Sequence, residues 1–92
     1  MSLYNPNANY FLVVIKETDG ELEFSHRLVI EASDDLDAAI KAENIARDWH
    51  GFDYTQEGDW IYYENVGLSG KVDYVKPITP MEFFEEAIFV LQ

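Results

Sequence analysis

His26 and His50 are the only imidazoles in a 92-residue chain that has no cysteine. Proton transfer near neutral pH would have to run through one of them, helped by a carboxylate. Ser25 or Ser69 completes a serine–histidine–acid set on paper. Neither lies on the strained strand-to-helix turn that presents a nucleophilic serine. The chain has eighteen carboxylates, so any two can be named as an acid–base pair, and a pair acquires meaning only through geometry. A catalytic reading would need a cleft holding His26 with carboxylates such as Glu17 or Glu31. Nothing in the residue pattern marks such a cleft, so no catalytic residue is assigned and the chain is expected not to be an enzyme.

Two acidic groups have the hard oxygens that suit calcium or magnesium. Asp34, Asp35 and Asp37 cluster at a helix start, where capping explains them. Asp53, Glu57 and Asp59 share a loop. Neither matches the spacing of a calcium-binding helix–loop–helix. Gly67 and Gly70 form a turn pair and no phosphate-binding loop. No cofactor and no metal are expected. Without cysteine there is no disulfide framework and no thiolate chemistry, which fits a cytoplasmic protein.

Against the eighteen acids stand six basic residues, a net charge of −12. Such a surface repels phosphate backbones and anionic lipid, and favours a basic protein partner. The basic residues are spread along the chain without a stripe. Trp60, Tyr62, Tyr63 and Tyr74 resemble a base-stacking platform, which normally lies in a positive groove. Direct binding of nucleic acid or of a membrane is therefore not expected. The apolar runs are too short to span a bilayer.

The elements that must position these residues read as ββαββα in one α+β domain over 10–92, after a loosely ordered Asn/Pro-rich segment over 1–9. Residues 10–17 are β-branched and aromatic. Asp19-Gly20 signals a two-residue hairpin turn into a second strand over 22–32. That register sets Thr18 opposite Glu21, Ile15 opposite Phe24, Val13 opposite His26 and Phe11 opposite Leu28. It leaves Leu12, Val14 and Val29 on a mixed back face. Ser33 or Asp34 caps a helix that runs to about His50 and ends at Gly51. Its buried stripe is Ala38, Ala39, Ala42, Ile45, Ala46 and Trp49. Residues 52–59 read as a loop, 60–64 and 71–76 as two further strands. Thr79, Pro80 and Glu82 form a capping box, with Ile78 and Phe83 as a hydrophobic staple. Phe83, Phe84, Ala87, Ile88 and Leu91 make the buried stripe of the last helix. Four mainly antiparallel strands under two helices on one face result, an order also obtained by circularly permuting a ferredoxin-like sandwich.

The expected function is a non-enzymatic, small, acidic protein-interaction or regulatory module that self-associates as a homodimer. The interaction residues expected are Leu12, Val14 and Val29 on the back face. On the last helix they are Phe89 among Glu82, Glu85 and Glu86. The alternative is an acidic nucleic-acid mimic that inhibits a basic nucleic-acid-binding protein, of the anti-restriction or anti-CRISPR type. Mimicry requires one continuous acidic surface, whereas the acids fall in four batches, 17–23, 31–37, 53–64 and 82–86.

Overall fold

The computed structural model describes residues 6–51 and 53–90, with the backbone alone for 86–90. It is an α+β fold of seven elements: β1 (Tyr10–Thr18), β2 (Glu23–Glu31), α1 (Asp35–Arg47), β3 (Tyr54–Glu57), β4 (Trp60–Tyr63), β5 (Leu68–Pro77) and α2 (Pro80–Val90). The strands make one five-stranded sheet in the order β2-β1-β5-β4-β3, with every neighbouring pair antiparallel. The expected loop over 52–59 thus contains a strand. Tyr54 to Glu57 pairs with β4, and Gly58, at φ 61°, makes the reversal a side chain would resist.

The first hairpin is wider than expected. Thr18 pairs with Glu23, so Val13 faces Leu28, Ile15 faces His26 and Glu17 faces Phe24. Polar side chains outcompete the tight turn. Asp19 Oδ1 accepts from the Glu21 and Leu22 amides, and the Thr18 hydroxyl donates to the Leu22 carbonyl. The shift is two residues, so each side chain keeps its face. Phe24 nevertheless ends beyond the core, about half exposed.

Both faces of β1 are buried. Phe11, Val13 and Ile15 pack with Ile30, Ile61, Tyr63 and the fully buried Ala38, Ala42 and Ala46 of α1. These alanines let the helix axis lie close to the sheet. The buried stripe is narrower than expected, since Ile45 is exposed and Ala39 only half-buried. α1 also stops at Arg47 with Asp48 as its C-cap, and Gly51 takes its positive φ three residues later.

The two helices lie on opposite faces, and this corrects the one-sided layer read from the sequence. Tyr10 alternates with Phe11 and so shares the face of Leu12 and Val14. Its ring packs at a tilt against Phe83 of α2, centroids 4.6 Å apart, and α2 packs along β2. Phe83 lies outside the cluster that α1 closes. The capping box of α2 forms as read: the Glu82 amide donates to Thr79 Oγ1, and the Thr79 amide to Glu82 Oε1.

Candidate functional site

Glu17 is the one charged side chain buried among the described residues, only 4% exposed. It ends the core-facing row of β1, next to the C-terminal end of α1. Its Oε1 lies 2.6 Å from His26 Nε2 and its Oε2 lies 2.8 Å from His50 Nε2. A carboxylate only accepts, so each Nε2 carries the proton. The two histidines are held in turn by aromatic rings. His26 packs against Trp49 at 4.8 Å, and His50 meets the edge of Tyr63 at 4.6 Å. Asn65 Nδ2 donates to the His50 carbonyl. The Tyr63 hydroxyl donates to the Ala46 carbonyl. Burial, with the Glu17 charge adding to it, pushes the Tyr63 phenol up to about 12.

A carboxylate on one imidazole nitrogen is the geometry that prepares the other nitrogen as a base. Here one carboxylate serves two imidazoles. Neither serine considered as a partner is near. Ser25 pairs with Lys16 and Ser69 with Tyr62 in the register, which places both on the opposite sheet face. Glu31, opposite Tyr10, is on that far face as well. The node thus links β1, β2, β4 and the turn after α1 through Glu17, His26, Trp49, His50 and Tyr63.

The acidic cluster at the start of α1 is occupied by local hydrogen bonds. Asp34 Oδ1 caps α1 through the Asp37 amide, and Asp37 Oδ2 accepts from Ser33 and Lys41. The Ser33 amide, then Lys41, hold Asp37 below the usual carboxylate range. Among the described residues no three His, Asp or Glu side chains are arranged to hold a metal ion.

The expected interaction residues are placed differently from the expectation. Leu12 and Val14 are buried inside the fold, 1% and 5% exposed, and are not available to a partner. Val29 is half-buried beside them. Glu82 is committed to its cap and to Lys76 Nζ at 3.3 Å. Glu85 is exposed. Glu86 and Phe89, like the stripe residues Ala87 and Ile88, have side chains outside the described set.

Two surfaces missed in the sequence emerge instead. On the α1 side, Leu36 and Ile40 stand 67% and 52% exposed, one turn apart. With Ala39 and Val72 they line a groove of about 300 Å³ between α1 and the β3–β4 turn, rimmed by Glu43 and Asp59. The unsatisfied apolar pair was detectable as Leu36 and Ile40 falling off the buried stripe. On the opposite sheet face, the register collects Lys16, Arg27, Lys71 and Lys76, four of the six basic residues. The reading of scattered cations is thereby corrected. Trp60, Tyr62 and Tyr74 share that face, with Lys71 Nζ 5.1 Å over the Trp60 ring. The other two basic residues lie on α1, where Lys41 pairs with Asp37 and Arg47 with Glu43.

Comparison of the chain with protein-family models, with curated proteins and with solved structures finds no match. Among the described residues no helix is long and apolar enough to cross a membrane.

Proposed function

We propose that this protein is a non-catalytic interaction module whose α1 side captures a basic amphipathic segment of a partner protein. The observation that carries the reading is the Leu36–Ile40 groove: exposed apolar side chains with a defined hollow, framed by carboxylates. An amphipathic helix laid in such a groove is anchored by apolar side chains one turn apart. Its lysines and arginines would meet Glu43 and Asp59. Asp35 stands exposed beside Leu36, and the charge of −12 steers a cationic partner to this side. Ser25 and Ser69 lie on the opposite sheet face from the Glu17–His26–His50 node, in keeping with a structural use of those histidines. The same reading takes the protein to be cytoplasmic.

The test is a titration of a fluorescently labelled, synthetic Leu/Lys amphipathic peptide followed by anisotropy. Binding in the micromolar range, weakened by salt and reduced at least tenfold by Ile40→Asp, is the expected result. Ile40 is exposed, so the variant keeps its fold, checked by its melting temperature. Binding indifferent to Ile40→Asp, or no binding at about 100 μM, overturns the reading.

A second reading, mimicry of nucleic acid, is favoured by the concentration of cations on the sheet face, which leaves the α1 side predominantly acidic. It predicts that a Lys-only peptide binds as tightly as the amphipathic one, and that Ile40→Asp does no harm.

A further inference from the structure

We infer that the sheet face opposite α1 is a docking surface for a second copy of this chain. Among the described residues, α2 packs on that face over β1 and β2, where Tyr10, Leu12 and Val14 are buried. The remaining part, over β5, β4 and β3, has Tyr62 and Tyr74 36% and 46% exposed. Trp60 lies between β3 and Lys71, half-buried. Tyrosine and tryptophan are the residues that most often anchor protein interfaces.

Charge selects the occupant. Two chains of −12 repel at every orientation, least where their cations are concentrated. This face holds Lys16 and Lys71, and with them Asp73, 3.9 Å from Lys16, Glu57 opposite Trp60, and Glu64, which accepts from the Thr55 hydroxyl. A patch bearing both signs is self-complementary: a twofold axis can set each lysine of one copy beside a carboxylate of the other. It also turns the two acidic α1 sides away from each other and leaves both grooves open. A nucleic acid would meet the same aromatics, but the carboxylates among them oppose its phosphates. The free face is three strands wide, roughly 15 Å across at the usual strand spacing. That is at the small end of stable interfaces, so the dimer is a weak one.

Sedimentation equilibrium over about 10–500 μM tests this at low and at raised salt. The expected result is a shift from 10.7 kDa toward twice that mass. It is stronger at about 0.5 M salt, where repulsion between the chains is screened. Tyr62→Glu and Tyr74→Glu, both at exposed positions, should weaken the association at least tenfold without changing the melting temperature. Ile40→Asp should leave it unchanged, which separates this surface from the groove. A monomer throughout that range overturns the inference, as does a dimer indifferent to both tyrosine variants. So does an affinity for a labelled single-stranded oligonucleotide that Tyr62→Glu abolishes.

Discussion

Glu17 determines how the end of β1 is held. Both of its oxygens are used, each by a different imidazole, so a glutamine there can satisfy only one. The second Nε2–H then faces the amide NH₂, donor against donor. Glu17→Gln should cost about 1–3 kcal/mol, read as a lower urea midpoint at unchanged slope. Tyr63 gives a pH prediction. Its phenol is raised to about 12 in the folded chain against about 10 in the unfolded one. The folded state therefore holds a proton that the unfolded state releases. That stability is fully present below pH 10 and is lost as the pH rises toward 12. The melting temperature should fall across that window, and Tyr63→Phe should remove the Tyr63 part of the fall. Little of this was legible in sequence. The requirement that His26 meet a carboxylate such as Glu17 could be stated, but His50 lies 33 positions from Glu17. Only the packing of α1 brings the two together.

α1 owes its position to small side chains. Ala38, Ala42 and Ala46 are fully buried against β1 and β5, so the helix has no room for a larger residue there. Ala42→Leu should cost about 1–3 kcal/mol by overpacking, measured by urea unfolding. Ala39→Leu, on the half-buried flank, should cost less. Elements with strong local signals were readable: the capping box of α2, the alternation of β2 and the Asp34 cap. β3 was missed because four residues, Tyr-Thr-Gln-Glu, carry no apolar alternation. Its pairing is specified by the turn at Gly58 and by Arg47 and Glu43 of α1 bonding Gln56. The hairpin register was missed for the opposite reason, an Asp-Gly signal overruled by the Asp19 and Thr18 side chains. Which face α2 covers depends on the long-range pairing of β1 with β5, which no local pattern encodes.

The net charge of −12 is unevenly divided between the two sides of the sheet, and this division has a thermodynamic consequence. Along the chain the basic residues look scattered, because neighbours in the sheet are distant in sequence. Strand order brings Lys16 beside Lys71 and sets Lys76 on the same face. On the α1 side the cations Lys41 and Arg47 already have acidic partners one turn away. A new positive charge there relieves repulsion, whereas one placed beside Lys16 and Lys71 adds to theirs. Asp59→Lys, at the rim of the groove, should therefore stabilise the protein. Asp73→Lys should destabilise it, since it removes the partner of Lys16 and places a third lysine beside Lys16 and Lys71. Exposed charges act at roughly 0.3–1 kcal/mol, which for a domain of this size shifts melting by about 2–6 °C. The two variants should move in opposite directions at about 10 mM salt and converge on the parent at about 0.5 M, where the screening length falls below the spacing of these groups. A uniform acidic surface would instead make both substitutions stabilising, so differential scanning fluorimetry of the pair tests the division directly.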